Sequence, residues 1–163
     1  MTRYFDLDEA NGALAEAQPI LLALREERAE LILLRDRAMA TTPGGPAGAE
    51  SSTSEPRGRD ESPGQPGGTP VDGVPIPELE GDDLRLLRLR MQGLVDQMQA
   101  GVARLDELGI VLREIETGLI DLAALAPGRP IWLCWRIGDG DRIAWWHEHG
   151  AGFAGRRRLE DLS

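Results

Sequence analysis

Three side chains that bind metals or move protons lie in the C-terminal third of the chain: Asp121 in GLIDL, Cys134 in WLCWRIG and His147 in WWHE. A carboxylate, a thiol and an imidazole are acceptable ligands for zinc or iron, and His149 can join them. A thiol beside an imidazole can equally act as a nucleophile and its base. No C-x-x-C or H-x-x-x-H spacing accompanies these residues. Cys134 and His147 therefore stand only as candidate metal ligands, and Cys134, His147 and Asp121 as candidate catalytic groups. A buried, inert thiol is the plainer alternative, and no cofactor is implied.

The same stretch, from Pro130 to Arg158, holds all four tryptophans, the only cysteine and both histidines. Trp132, Trp145, Arg136, Phe153 and Arg156 are candidate ligand-binding residues. The two tryptophans can stack on a ligand, or on each other and the tail. Arg136 can form a plain ion pair with Asp121. Gly150, Gly152 and Gly155 spell G-x-G-x-x-G after a strand. A dinucleotide fold would need a following helix, a second strand and an acid about 20 residues on, and too little chain follows. What survives is a glycine loop leading to Arg156-Arg157-Arg158. It can take an anion through backbone N–H and guanidinium groups, or be a solvated basic tail offset by Glu160 and Asp161.

These residues share a face only if strands position them. From Ile110 the apolar period is two, and Ile110–Ile115, Leu119–Leu125, Ile131–Ile137 and Arg142–Glu148 read as strands. Pro127-Gly128 suits a two-residue turn, and Asp139-Gly140 suits a type I′ hairpin. The register then follows: Asp121 opposes Cys134, Ala123 opposes Trp132, Cys134 opposes Trp145 and Trp132 opposes His147. One face collects Ile120, Leu122, Ala124, Ile131, Leu133, Trp135, Ile137, Ala144 and Trp146, and should pack on helices. The other collects Asp121, Trp132, Cys134, Arg136, Trp145 and His147, an odd mixture for a solvated surface.

The helices come first in the chain. Asp6 and Glu9 have the spacing of a capping box, and apolar residues recur at helical intervals from Leu7 to Leu34. A helix over residues 1–40 follows, kinked near Pro19 by the missing N–H. Residues 41–81 are rich in Pro, Gly, Ser and acid, which reads as a disordered spacer. Residues 82–109 form a second helix with a stripe at Leu84, Leu87, Met91, Leu94, Met98, Leu105 and Leu108. Gly93 and Gly101 weaken it or admit a close neighbour, and Gly109 ends it. The fold class expected is α+β: two long helices in an antiparallel hairpin or coiled coil, then a three- to four-stranded antiparallel meander over 110–163.

The net charge of −10 lies mostly in residues 41–83, which carry nine acids and two arginines. The folded parts are nearly neutral, so no nucleic-acid partner is implied. All 18 basic residues are arginine, which codon bias explains. One cysteine excludes an intrachain disulfide, and neither a signal-peptide core nor a run of roughly 18 apolar residues appears. No membrane association and a cytoplasmic location are expected.

GLIDL, WLCWRIG, WWHE and GFAGR, with the opening FDLDEAN and Pro19, resemble a bacterial family catalogued as domain of unknown function 2203. The likeness spans the chain apart from the spacer. The resemblance implies a small cytosolic protein with a helical hairpin and a C-terminal sheet, and transfers no catalytic residues. This sequence departs from it in the long spacer and at Leu122, where an aromatic residue is expected. The function expected is a non-catalytic scaffold or binding module that presents the Trp/Cys/His face and joins a protein partner, or a second copy, through its helices. The alternative is a small metal- or thiol-dependent enzyme using Cys134, His147 and Asp121.

Overall fold

The computed structural model describes residues 1–40 and 81–163. The spacer expected at 41–81 lies almost wholly outside the described residues. Two helices, α1 (Leu7–Ala40) and α2 (Gly81–Glu107), precede five strands: β1 (Ile110–Glu114), β2 (Leu119–Ala126), β3 (Arg129–Trp135), β4 (Trp145–Glu148) and β5 (Arg157–Arg158). The strands form one antiparallel sheet in chain order. The class is α+β, with more strands than the three or four expected. The additional strand is the Arg157–Arg158 pair, whose charge hides it from any search for apolar alternation.

Helix α1 starts on the reciprocal cap that the sequence spells. Glu9 N donates to Asp6 Oδ1 at 2.8 Å, and Asp6 N donates to Glu9 Oε2 at 3.1 Å. The helix continues through Pro19. Its ion pairs with α2 run in opposite chain directions: Glu16 meets Arg104, and Glu30 meets Arg90. The two helices are thus antiparallel. They pack closely where Gly101 faces Leu24, since a Cβ there would sit 3.1 Å from Leu24 Cδ2. Gly93 has open space around it, so of Gly93 and Gly101 only Gly101 serves packing.

The core lies between the first half of α1 and the inner face of the sheet. Leu14, Leu21 and Leu24 of α1 and Leu105 of α2 are buried with Ile120, Leu122, Ile131, Leu133, Trp135 and Trp146. Phe5 joins them and pairs beside Ala124, donating its N–H to Ala123 O at 2.8 Å. It covers the stretch of β2 that β1 leaves bare, because β1 begins opposite Leu122.

The register is the one expected. Asp121 pairs with Cys134, Ala123 with Trp132, Trp132 with His147 and Cys134 with Trp145. Pro127-Gly128 is a two-residue turn, with Gly128 at φ 81° and Ala126 opposite Arg129. The connection after β3 is different. No type I′ hairpin forms at Asp139-Gly140; the strands stop at Trp135 and resume at Trp145. Contacts at Asp139, Ile137 and Ile143 help hold the wider loop. The Asp139 carboxylate accepts from Arg136 N at 3.0 Å, while Asp139 N donates to Arg136 O. Ile137 packs on Gly118 and donates its N–H to Thr117 O. Ile143 turns into the core, and its N–H reaches Asn11 Oδ1 at 2.8 Å. Side-chain and tertiary bonds replace ladder bonds here without shifting the register.

Candidate functional site

The outer face gathers Asp121, Cys134 and His147, contributed by β2, β3 and β4. All three are buried, and each has a ligand atom within 4.8 Å of the other two. Their meeting follows from the register, because adjacent strands stand about 5 Å apart.

The His147 ring is held at both nitrogens. Nδ1 lies 2.8 Å from the backbone O of Glu148, and Nε2 lies 3.1 Å from Asp121 Oδ1. A carbonyl oxygen only accepts, so Nδ1 carries a hydrogen. A neutral imidazole then has a lone pair at Nε2, facing a carboxylate oxygen that also accepts when ionised. That contact calls for a proton or another cation between the two atoms.

Asp121 is held from the other side by Arg113, whose Nε donates to Oδ2 at 2.8 Å. This corrects the expected pairing with Arg136, which instead lies 3.9 Å from Asp139. The reason is local. The β1–β2 pairing slips between Leu112 and Glu114, leaving Arg113 as the unpaired residue of a bulge. Bulges of this kind re-aim a side chain, here toward Asp121. Sequence reasoning missed Arg113, although strand parity carried a signal. Val111 opposes Asp121, so Arg113 lies two residues along on the same face.

Cys134 is fully enclosed. Burial, then the Asp121 charge and a hydrogen bond to that carboxylate, push its thiol up to about 12, with Arg156 pulling the other way. Such a thiol is protonated near neutral pH and a poor nucleophile. Thiol catalysis in the absence of a metal therefore loses support.

The aromatic candidates divide into two layers. Trp132 carries Arg113 over its ring at 5.0 Å and the His149 ring at 4.8 Å. Trp145 carries Arg156 at 4.3 Å and Arg158 at 4.5 Å. Phe153 receives Arg136 at 4.8 Å and Arg156 at 4.4 Å. Arg156 also forms a forked ion pair with Asp139, at 2.7 and 3.2 Å. The tail is thus not a free basic end, although Arg157 and Arg158 stay exposed. Arg156 latches it to the β3–β4 loop, and the next two residues add a strand to β4. Of the five ligand-binding candidates, Trp132 and Phe153 flank the trio. Trp145, Arg136 and Arg156 build the latch.

Beside the trio lies a cavity of about 370 Å³, lined by Arg113, Leu119, Asp121, His147, His149, Gly150, Gly152 and Phe153. Two glycines of the rejected dinucleotide motif, Gly150 and Gly152, therefore form one wall, before a short 3-10 helix at Phe153–Gly155. His149 lines this cavity but is not one of the three converging ligands.

No curated protein and no solved structure matches the chain. The family described as an uncharacterized conserved protein, domain of unknown function 2203, matches residues 3–159, which include every side chain of the trio and of the cavity wall. On that coverage the chain belongs to this family.

Proposed function

We propose that Asp121, Cys134 and His147 bind one divalent metal ion of the zinc class, and that the protein acts through this centre on the adjoining cavity. The observation that carries the reading is the contact between His147 Nε2 and Asp121 Oδ1, with Nδ1 committed to the Glu148 carbonyl. Metal-binding histidines characteristically donate their second N–H to a carbonyl or carboxylate, and ligating carboxylates are themselves hydrogen-bonded. Arg113 supplies the latter contact for Asp121.

The donor set fits. Zinc takes thiolate, imidazole and carboxylate at about 2.0–2.3 Å, which spaces tetrahedral ligand atoms roughly 3.3–3.7 Å apart. The His147–Asp121 separation of 3.1 Å is close to this, and separations of up to 4.8 Å within the trio would close by about 1 Å. A bound dication also removes the difficulty at Cys134, because a coordinating thiol deprotonates outright. Three protein ligands beside a cavity match sites that keep one position open for chemistry, where the ion serves as a Lewis acid. A bacterial cytosolic setting, expected from the sequence, suits a reduced Cys134.

The test is elemental analysis of protein purified without chelator, joined to Co²⁺ titration of the apoprotein. We expect about one metal per chain and near-ultraviolet thiolate-to-cobalt absorption that Cys134→Ser abolishes. Metal far below stoichiometry, with no such absorption, would overturn the reading.

A second reading is a binding module working through the helices. It draws support from an apolar groove of about 530 Å³, lined by Leu31, Val95, Met98, Val102, Ala103 and Ile115 among others. Leu22, Leu33, Leu86 and Leu89 are further exposed apolar side chains on the two helices. Static light scattering at micromolar concentration, with and without Val102→Glu, tests self-association; a monomer in both cases counts against pairing with a second copy.

A further inference from the structure

We infer that the cavity beside Asp121, Cys134 and His147 takes a small oxyanion, a phosphate or carboxylate group, bridged between the bound metal and the Arg113 guanidinium. The inference rests on the metal reading and adds the chemical class of the ligand.

The first argument is charge. Without metal, the Asp121 carboxylate and the Arg113 guanidinium balance each other at 2.8 Å. A dication adds two positive charges, and loss of the Cys134 proton returns one negative charge. One positive charge is left over. Asp121 and Cys134 are buried, and uncompensated charge in such a setting is costly. Arg156 does not alter the sum, since Asp139 neutralises it. A ligand carrying one negative charge closes the balance.

The second argument is geometry. Arg113 uses Nε for Asp121, and among the described residues its two terminal nitrogens have no hydrogen-bond acceptor. Those nitrogens are the prongs that recognise an oxyanion end-on. Arg113 lines the cavity, and its position over the Trp132 ring orients the guanidinium plane. His149, on the same indole, contributes a second polar wall group. Gly150 and Gly152 leave that side free of side chains. At about 370 Å³ the space is near the lower end for ligand pockets, so the anion belongs to a small molecule.

The experiment uses the full chain loaded with Co²⁺. Inorganic phosphate and acetate are titrated separately while the visible cobalt bands are followed. We expect saturable spectral change with at least one of the two, and the one that binds identifies the oxyanion. In Arg113→Lys, measured at saturating cobalt, the Kd for that anion should rise about tenfold, because a point charge replaces a fork. No cobalt binding in the wild type sinks the metal reading and this inference together. Cobalt binding with bands unmoved by either anion leaves the centre intact and refutes the oxyanion. An anion Kd unchanged in Arg113→Lys refutes the bridging role.

Discussion

The two faces of the sheet are buried to a similar depth by different means. On the inner face, Leu122, Leu133 and Trp146 lie against the leucines of α1 and α2, carbon against carbon. On the outer face, Asp121, Cys134 and His147 are equally enclosed, yet their cover is a layer of arginines stacked on indoles and a strand of two residues. Burial on the inner face drives folding, because apolar area leaves water. Burial on the outer face opposes it unless each polar group finds a partner. The fold thus uses one face to hold the sheet and spends stability on the other. Such spending, beside a cavity, marks where function is to be sought.

The largest effect expected should come from the inner face. Leu122→Ala removes a side chain that is fully buried and central in the core, and should cost about 2–5 kcal/mol in chemical denaturation. Cobalt binding, measured under conditions where the variant remains folded, should be nearly unchanged, since Leu122 points away from the trio. If Leu122→Ala abolished metal binding in still-folded protein, the two faces would not be the separable layers described.

The outer face should break under a variable that leaves the inner one untouched, namely alkaline pH in the metal-free protein. Folding raises the Cys134 pKa from 9.0 to about 12. The folded chain therefore holds this proton more tightly than the unfolded chain. The contribution is neutral well below pH 9, and stability is lost as pH climbs from there toward 12. At pH 10 the loss amounts to about 1 kcal/mol relative to neutral pH. Cys134→Ser should show a shallower decline over this window. Parallel urea-denaturation curves for the two proteins between pH 8 and 11 would contradict the assignment.

The same contrast decides what was legible in the sequence. The expected register leaned on two two-residue turns, of which only Pro127-Gly128 forms. Across the wider β3–β4 loop parity alone kept the faces sorted, because a slip of one residue would have put the apolar set of the strand in water. The pairing of Asp121 with Cys134, and of Trp132 with His147, was readable for that reason. Partners reached from outside the regular ladder were harder to read, and parity carried a signal for Arg113 alone. Arg113 acts from a bulge, Asp139 from a turn, and Arg156 from a tail whose charge looks solvated. Their placement depends on tertiary contacts such as Ile137 against Gly118 and Ile143 against Asn11, which no local period encodes. The hairpin boundary was missed for the same cause. Arg136-Ile137 and Arg142-Ile143-Ala144 have strand-like composition, but the polar groups around them are satisfied by loop contacts instead of ladder bonds.

The smallest effects expected sharpen the comparison within the helical layer that covers the inner face. Gly93 and Gly101 both sit inside α2, and both cost helix stability relative to alanine. A methyl at Gly93 meets nothing within 4 Å, so Gly93→Ala should gain the full propensity difference, roughly 0.5–1 kcal/mol. A methyl at Gly101 would come within 3.1 Å of Leu24 Cδ2 and 3.3 Å of its Cγ. Leu24 is fully buried and has little room to yield, so the strain offsets the helical gain and Gly101→Ala should be neutral or destabilising. Thermal unfolding of the two variants side by side reads the difference. Equal gains at both sites would mean that the α1–α2 seam is looser than the contact at Leu24 implies, and that the inner face is covered by a less closely packed layer.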